Sequence, residues 1–356
     1  MPRQARGEYV NPNEVQILHL VNRCVRRAYL CGDDPVSGQS FEHRREWIRQ
    51  RLEFLAGVFA IDCLTYTIMS NHLHLILRSR PDVAREWSDE QVARRWLRLF
   101  PKRREKDGSP ADPEDFEISM ITGDKKRLAE IRLRLSDVSW WMRCTAENIA
   151  RRSNREDRCT GRFWEGRYRA QMILDEASLL ACAAYVDLNP IRAAMAKTPE
   201  DSKFTGAKDR IDDLGQRQTK ARKTHAWERS RRRSRSGWLS PLEIDERTDA
   251  VGADVSPVNR RASLKGFLSM SLVEYLELLD WTGRQLRRDK RGAIPSHLAP
   301  ILVRLGVDSE GWCDLVKKFG KLFKRAAGKA DSLAREAARR GVGYLHGPGA
   351  QMLSTE

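Results

Sequence analysis

The sequence predicts an α+β fold built on a ferredoxin-like (RRM-like) four-stranded antiparallel sheet with helices packed against it. Two observations predict this class. Segments rich in β-branched and aromatic residues alternate with segments of helical periodicity, in the order strand, helix, strand, strand, helix, strand. This order is the split βαββαβ arrangement. Beyond residue 255, apolar residues recur at helical spacing, which predicts a small α-helical C-terminal domain.

The first half of the predicted sheet contains three strands and one helix. Apolar residues at helical spacing predict an amphipathic helix over Phe41–Ala56, which Gly57 ends. Ser70-Asn71 predicts a tight turn between the second and third strands. The strands are predicted where β-forming residues cluster, over Glu14–Arg23, over Val58–Met69 and from His72 onward.

The second half adds a helix, a strand and a further helix after a charged insertion. The insertion spans residues 81–135, and we expect it to be partly helical around Ser88–Leu99 with a loop after it. Pro190 ends or kinks the last helix. The three elements are predicted over Ser136–Ser153, Arg162–Leu174 and Glu176–Leu188.

Three regions follow from these patterns: a core domain over residues 1–197, a basic, flexible linker over 198–255, and a helical C-terminal domain over 256–356. Apolar periodicity disappears in the second region, and residues 216–236 are dense in Arg and Lys. One interpretation of this stretch is a solvated, flexible tether. The other is a disordered arm that binds phosphates, and one segment can do both. The C-terminal helices are predicted over Ser271–Gln285, Ile301–Leu305 and Gly311–Ala327.

The composition indicates a polyanionic partner. Lys and Arg number 65 against 49 Asp and Glu, a net charge of +16. Nucleic acid fits this balance better than a membrane surface, and a merely solvated basic surface is the alternative. Neither a signal peptide nor a segment able to span a bilayer is expected. Seven scattered cysteines without a Cys-x-x-Cys pair predict neither zinc ribbon nor disulfide framework, and a cytoplasmic location is the default.

Two histidines mark the third strand as a candidate site. His72 and His74 lie two residues apart, so on a strand they project from one face, about 7 Å apart along it. Leu73, Leu75 and Leu77 would project from the other face. Neutral imidazole is a common metal ligand, so the pair is half of a metal site. The alternative is a pair of hydrogen-bonded histidines on a half-exposed strand.

The last helix of the core supplies a candidate nucleophile. Tyr185 and Asn189 are four residues apart, so on a continuing helix they share a face, about 6 Å apart. Tyrosine is a poor nucleophile unless a polarised electrophile lies beside it, and a divalent cation would polarise a phosphodiester. Each residue has an alternative interpretation: Tyr185 as a core aromatic, and Asn189 as the N-cap of a short helix that starts at Pro190.

Cations and aromatic rings are mixed on and beside the fourth strand. This mixture suits single-stranded nucleic acid, because phosphates meet guanidinium groups and unstacked bases lie on rings. Core packing is the alternative for Phe163 and Trp164, and we expect one of the two to be buried. Arg23, Arg26 and Arg27 near the first strand are further candidates. The candidates on and beside the fourth strand are Arg162, Phe163, Trp164, Arg167, Tyr168 and Arg169.

Three motifs together resemble the single-tyrosine HUH transposases, and within them the REP-associated branch. They are Asn71–Leu75 (NHLHL), Gly161–Tyr168 (GRFWEGRY) and Tyr185–Ala193 (YVDLNPIRA). The likeness spans roughly Val15–Ala196, so it covers the core domain and leaves out the later regions. Members of that family usually have Pro before the Asn-His pair, where this chain has Ser70. This difference affects a turn and not the ligands.

The resemblance implies a role for each matched position and makes residues 1–197 an HUH catalytic domain. His72, His74 and Asn189 would hold Mg²⁺ or Mn²⁺. Tyr185 would attack a phosphate of single-stranded or hairpin DNA and form a 5′-phosphotyrosine link, which another 3′-hydroxyl reverses. The expected substrates are hairpins of repeated palindromic elements. No nucleotide cofactor is implied, and the chain has no Gly-x-x-x-x-Gly-Lys-[Ser/Thr] loop. Monomer and homodimer both remain open.

Two other functions are compatible with the same residues. One is a nucleic-acid-binding regulator on the same sheet that does not cut its target. The other is a metal-dependent nuclease that uses water and leaves Tyr185 idle.

Overall fold

A five-stranded sheet with helices on both faces organises the fold. The computed structural model describes residues 10–25, 30–34, 38–106, 110–221, 234–245, 252–286 and 309–347. The spatial order of the strands is β2-β3-β1-β4-β5. They are β1 (Ile17–Arg23), β2 (Ile61–Ile68), β3 (His72–Ser79), β4 (Arg169–Ile173) and β5 (Ala326–Ala327).

The predicted α+β class and the ferredoxin-like sheet are confirmed. β1 pairs antiparallel with β3 and β4, and β2 pairs antiparallel with β3. The fifth strand was not predicted. β5 pairs parallel with β4, through Met172–Ala326 and Ile173–Ala327. The fourth strand is also shorter than the predicted Arg162–Leu174, since it begins at Arg169. Before it, the chain pairs with the end of β1 only locally, at an isolated bridge between Trp164 and Cys24.

Twelve helices are described. Those of the core and its insertion are α1 (Arg44–Ala56), α2 (Pro81–Glu86), α3 (Asp89–Leu99), α4 (Asp115–Thr122), α5 (Lys125–Ser136), α6 (Val138–Glu156), α7 (Glu176–Asp187) and α8 (Asn189–Arg192). The later ones are α9 (Gly206–Ala221), α10 (Leu272–Gln285), α11 (Ser309–Leu322) and α12 (Ala330–Arg339).

One face of the sheet is covered by α1 and α6. Leu73, Leu75 and Leu77 point to this face and are buried in a cluster that includes Ile48 of α1 and Trp141 of α6. The cap of α6 is Asp137, whose side chain accepts a hydrogen bond from the Ser139 backbone N–H at 2.6 Å. The alternating leucines thus anchor β3 and turn its histidines to the opposite face.

The opposite face is covered by α7. Ile76 of β3 shares a buried cluster with Leu180 of α7. This helix begins where the sequence predicts, because the Asp175 side chain accepts a hydrogen bond from the Ser178 backbone N–H at 2.9 Å. The sheet therefore lies between two helical layers, and α7 lies on the histidine side.

Later segments cover both edges of the sheet. At the outer side of β2, the Ile68 N–H donates to the Phe204 carbonyl at 3.2 Å, and the Ser240 N–H donates to the Cys63 carbonyl at 2.9 Å. At the other edge, β5 lies against β4.

The insertion is more helical than expected. The sequence predicted a loop after Leu99, but α4 and α5 follow, and Leu128 and Ile131 of α5 are buried in the same cluster as α1 and α6. Burial of these apolar side chains favours the helices over a solvated loop.

The expected linker is folded where the structure describes it. Residues 206–221 form α9, and Asp209 on this helix accepts hydrogen bonds from the Tyr66 hydroxyl at 2.8 Å and from Arg49 at 3.1 Å. Trp238 is fully buried against Tyr66, with ring centroids 5.1 Å apart. Residues 222–233, which carry most of the Arg-rich run, lie outside the described residues, as do Arg26, Arg27 and the predicted helix over residues 301–305.

The C-terminal part is helical but shares its core with the sheet. Trp312, Leu315 and Phe319 of α11 are buried in one cluster with Leu180 of α7. The predicted helix over Gly311–Ala327 ends earlier, at Leu322, because Ala326–Ala327 joins the sheet as β5. The expected boundaries at 197/198 and 255/256 are therefore crossed by packing, and the C-terminal helices contribute to the surface beside the histidines.

Candidate active site

A cleft of about 450 Å³ opens on the histidine face. Strands β1, β3 and β4 form its floor, and α7 and α11 contribute to its wall. The side chains that bear on its chemistry are His19, His72, His74, Tyr185, Gln171 and five charged groups, Arg23, Glu165, Arg167, Arg169 and Lys324. Four cations against one carboxylate make this cleft attractive to phosphate.

His72 and His74 lie together on β3, as the sequence predicted. Their ring centroids are 4.8 Å apart, with the rings nearly perpendicular. His72 Nδ1 lies 2.6 Å from Asn71 Oδ1. Because an amide oxygen only accepts, this contact assigns the His72 proton to Nδ1 and leaves Nε2 with a free lone pair.

Both imidazoles are neutral at physiological pH. Burial lowers the pKa of His72 to about 4, and the positive charge of Arg23 adds to this effect. Burial also holds the pKa of His74 well below 6.5, and the neighbouring His19, His72 and Arg192 lower this pKa further, because they disfavour a second positive charge. Neutral imidazole is the form that ligates a metal ion.

A third histidine, His19 of β1, completes the row, although no motif in the sequence marked it as a candidate. Its Nε2 lies 2.9 Å from His74 Nδ1, and its Nδ1 lies 3.3 Å from Gln171 Oε1. Burial lowers the pKa of His19 to about 4, although the hydrogen bond with Gln171 raises it. The sequence could have indicated His19 through strand alternation. His19 lies between the apolar Leu18 and Leu20, so on a strand it points to the opposite face from theirs.

Tyr185 lies beside this row. Its ring centroid is 5.7 Å from that of His74 and 5.8 Å from that of His19, both in edge-to-face geometry. Phe319 of α11 packs on it at 5.7 Å, and the Arg192 guanidinium lies 4.6 Å from its ring centroid. The side chain is half-buried. The structure thus brings together the nucleophile candidate and the two histidines that the sequence predicted.

Hydrogen bonds to β2 and α10 fix the end of α7 that carries Tyr185. The Thr67 hydroxyl donates to the Val186 carbonyl at 2.5 Å. The buried Asp187 carboxylate accepts from the Thr65 hydroxyl at 2.7 Å and from the Tyr275 hydroxyl at 2.7 Å. These contacts join residues distant in sequence, so no local pattern identified Asp187 as a positioning residue.

Asn189 is buried, and the alternative interpretation of it as a helix cap does not hold. Leu188 occupies the N-cap of α8, and Asn189 is the first residue of the helix. Asn189 Nδ2 is buried without a hydrogen-bond partner among the described residues. Asn189 is not one of the residues lining the cleft. Its proposed ligand role therefore stays a prediction.

Phe163 and Trp164 cannot stack on bases as predicted. Both are buried, at 2% and 8% exposure, and they pack edge-to-face with centroids 5.0 Å apart. Trp164 Nε1 donates to the Ala146 carbonyl at 2.8 Å. These rings are buried in one cluster with side chains of α6, because burying an aromatic ring is more favourable in free energy than leaving it exposed in a groove. We expected one of the two to be buried, and both are.

The polar candidates divide between the cleft and its surroundings. Arg23, Arg167 and Arg169 line the cleft, and Arg23 faces Glu165 at 3.7 Å. Arg162 is exposed, but it does not line the cleft. Tyr168 is half-buried, and its hydroxyl donates to the Ser139 hydroxyl at 3.1 Å. Contact of these side chains with DNA stays a prediction.

The donor set at the histidine row fits a divalent cation only in part. Across the described ranges, no three His, Cys, Asp or Glu side chains are grouped to hold a metal ion. His72 and His74 offer two neutral imidazoles, which Mn²⁺ accepts, whereas Mg²⁺ relies more on oxygen ligands. Remaining positions would have to be filled by an amide, water or phosphate oxygen, so the pair fits a cation that is completed by a phosphodiester.

A second basic cleft, of 1010 Å³, lies on the side of the sheet away from the histidines, between α1, α3 and α6. Glu147 is its one carboxylate, and Phe54 and Phe100 add aromatic surface. Among the described residues Arg98 and Arg155 make no ion pair, whereas Arg151 pairs with Glu147. The six cations are Arg51, Arg98, Arg104, Arg151, Arg152 and Arg155.

Comparison with known proteins gives one distant likeness. No model of a protein family matches this chain, and no curated protein does. A solved structure of a REP-associated tyrosine transposase bound to a REP hairpin is similar to it, with 12% sequence identity and a TM-score of 0.34. The match covers 60% of this chain and 85% of that one. This similarity indicates a distant structural relationship only, and no activity is inferred from it. Within the described part of the chain, every helix is too short or too polar to cross a bilayer.

Proposed function

We propose that this chain is a metal-dependent enzyme that cuts and rejoins single-stranded DNA through a 5′-phosphotyrosine intermediate, at hairpins of repeated palindromic elements. One observation carries the proposal. Tyr185 packs edge-to-face against His74, with centroids 5.7 Å apart, inside a cleft lined by cations. A tyrosine hydroxyl, neutral imidazoles and guanidinium groups around one space are the parts that phosphoryl transfer to tyrosine needs.

In the proposed reaction, Tyr185 Oη attacks the phosphorus of a DNA phosphodiester. The bond from phosphorus to the 3′ oxygen breaks, the tyrosine loses its proton, and the 3′ oxygen takes one up. The downstream strand is then joined to Tyr185 through its 5′ phosphate. Attack by another 3′-hydroxyl reverses these steps and rejoins the strands, so no nucleotide cofactor is consumed.

A bound Mg²⁺ or Mn²⁺ would withdraw charge from the phosphate oxygen. His72 and His74 would hold it, with Asn189 as the third protein ligand that the family resemblance implies. Other residues would bind the substrate and position the tyrosine. Arg167 and Arg169 bind the flanking phosphates, and Phe319 packs on the Tyr185 ring and restricts its rotation.

The proposed partner is DNA with a single-stranded stretch beside a stem. The positive side chains of the histidine cleft would bind the phosphates of a single-stranded stretch. The second basic cleft offers six guanidinium groups and two aromatic rings on the opposite side of the sheet. Two separate basic surfaces on one chain favour a substrate that is longer than the stretch being cut.

The test follows the label through the reaction. Hairpin oligonucleotides with randomised single-stranded flanks carry one dye at the 3′ end and another at the 5′ end, and are incubated with the protein and Mn²⁺ or Mg²⁺. On a denaturing gel we expect the 3′ dye to migrate with the protein and the 5′ dye with a shortened, free strand. The Tyr185→Phe variant should lose the covalent band.

The control is Tyr344→Phe, the same substitution at a side chain that is 75% exposed, and it should behave like the wild type. Cleavage that survives Tyr185→Phe would contradict the proposal and indicate a nuclease that uses water. Binding of the hairpins without any cleavage by the wild type would instead indicate a DNA-binding regulator.

A further inference from the structure

Three polar side chains form a row across adjacent strands on the floor of the cleft. In the register of the sheet, Val21 of β1 faces His74 of β3, and His19 faces Gln171 of β4. His19 therefore lies diagonally next to His74 and directly opposite Gln171, and all three side chains point to the same face. Each is nearly or fully buried, with exposures of 3–6%.

The contact between the two histidines is an in-plane hydrogen bond. Their rings are inclined by only 8°, and their centroids are 5.2 Å apart. This separation is what a 2.9 Å contact between the facing Nε2 and Nδ1 atoms produces when the rings lie end to end in one plane. Face-to-face stacking would not bring ring nitrogens into line in this way. One nitrogen must donate and the other must accept.

Gln171, at the far end of the row from His74, determines which nitrogen donates in each hydrogen bond. As the amide is oriented, Gln171 Oε1 faces His19 Nδ1 at 3.3 Å and can only accept, which places the proton of that ring on Nδ1. The other end of the amide, Gln171 Nε2, is buried without a hydrogen-bond partner among the described residues. A neutral His19 then accepts at Nε2, and the proton in the second contact belongs to His74 Nδ1. With the proton on Nδ1, His74 Nε2 keeps its lone pair. In the reverse direction, His74 Nε2 would carry a proton and could not hold a cation.

We propose that His19 and Gln171 are positioning residues that fix the tautomer of His74 and leave its Nε2 free to bind a divalent cation. This inference rests on the proposed function, since it gives His74 its use there. His19 is not a metal ligand in this arrangement, because Gln171 and His74 occupy both of its ring nitrogens. Buried metal-binding histidines are commonly oriented by such a partner on their second nitrogen.

The test measures the tautomer and the metal affinity directly. Metal-free protein labelled with ¹⁵N at histidine gives long-range ¹H–¹⁵N correlations that separate the two tautomers. Seven histidines are few enough to assign by single substitutions. In the wild type we expect His74 to carry its proton on Nδ1. Mn²⁺ affinity is measured by electron paramagnetic resonance without DNA.

Three variants separate the hydrogen bond from packing. His19→Leu removes the acceptor, and we expect the His74 proton to move towards Nε2 and Mn²⁺ affinity to fall about 10- to 100-fold. His19→Gln restores an acceptor oxygen near the position of Nε2, and both the tautomer and the affinity should return to nearly wild-type behaviour. Gln171→Leu tests the same row from its far end and should give mixed tautomers, whether or not His19→Leu folds.

The matched control is His346→Gln, the same substitution at an exposed histidine, which should change neither readout. A wild-type His74 protonated on Nε2 overturns the proposal. Equal loss of Mn²⁺ affinity in His19→Gln and His19→Leu also overturns it, since it would make His19 a ligand itself. Neither readout depends on DNA cleavage, so a wild type with the expected tautomer and no cleavage would count only against the proposed function.

Discussion

Gly320 leaves the space that the Tyr185 hydroxyl occupies. A Cβ at this position would lie 3.0 Å from Tyr185 Oη, closer than ordinary van der Waals contact allows. The position is in the last turn of α11, so its backbone does not require glycine; the neighbouring hydroxyl does. A residue of the C-terminal part thus limits where the Tyr185 hydroxyl of the core can lie.

We predict that Gly320→Leu displaces the Tyr185 ring and lowers the rate of covalent complex formation about 100-fold, because small displacements of a reacting group are costly. DNA affinity should stay within a few fold. Gly215→Leu is the control, since it places the same side chain in a helix with open space around its Cβ. A rate that is unchanged in Gly320→Leu would show that this position of Tyr185 is not required.

Local motifs in the sequence pointed to part of the candidate site. His72, His74 and Tyr185 were found because strand parity and helical spacing are local properties. His19 and Gln171 were missed, since their partners are set by the register between strands, which a single sequence does not give. Phe163 and Trp164 were assigned to DNA wrongly, because exposure depends on how α6 packs over them.

The end of α7 that carries Tyr185 is held by hydrogen bonds from β2 and α10. The Tyr275 hydroxyl of α10 donates to the buried Asp187 carboxylate at the end of α7. We predict that Tyr275→Phe lowers the free energy of unfolding by about 1.5–3 kcal/mol, the usual worth of a hydrogen bond to a charged group. Denaturant unfolding measures this, and Tyr344→Phe, exposed to solvent, should leave stability unchanged. An equal effect in both would mean that the contact contributes nothing.

The core elements were predictable because their periodicity is strong, whereas β5 was not. Its two residues, Ala326–Ala327, carry no β-branched or aromatic side chain and follow an apolar helical stripe. They form a strand only because β4 offers an edge for pairing. The helix predicted through Ala327 therefore ends five residues early for a tertiary reason.

At the scale of the whole molecule, the positive charge is divided between two faces. We predict that Arg98→Gln combined with Arg155→Gln weakens binding of the hairpin oligonucleotides and makes the slope of log affinity against log salt shallower by about 0.7 for each phosphate that is no longer neutralised. Fluorescence anisotropy in EDTA measures this without cleavage. Lys126→Gln with Arg127→Gln removes the same charge from exposed positions of α5 and should leave the slope nearly intact. Equal slopes in the two double variants would assign the effect to net charge alone.

The covered edges of the sheet also bear on self-association. Strand addition, in which two copies join their sheets into one, requires an edge with free N–H and C=O groups. Here the outer side of β2 is already hydrogen-bonded to residues 204 and 240, and β5 lies along β4. Within the described residues, the segments after the core thus occupy the outer side of β4 and two hydrogen-bonding positions on the outer side of β2, and the remaining edge strand, β5, is two residues long. A second copy that joined its sheet to this one would therefore find only a short edge to pair with.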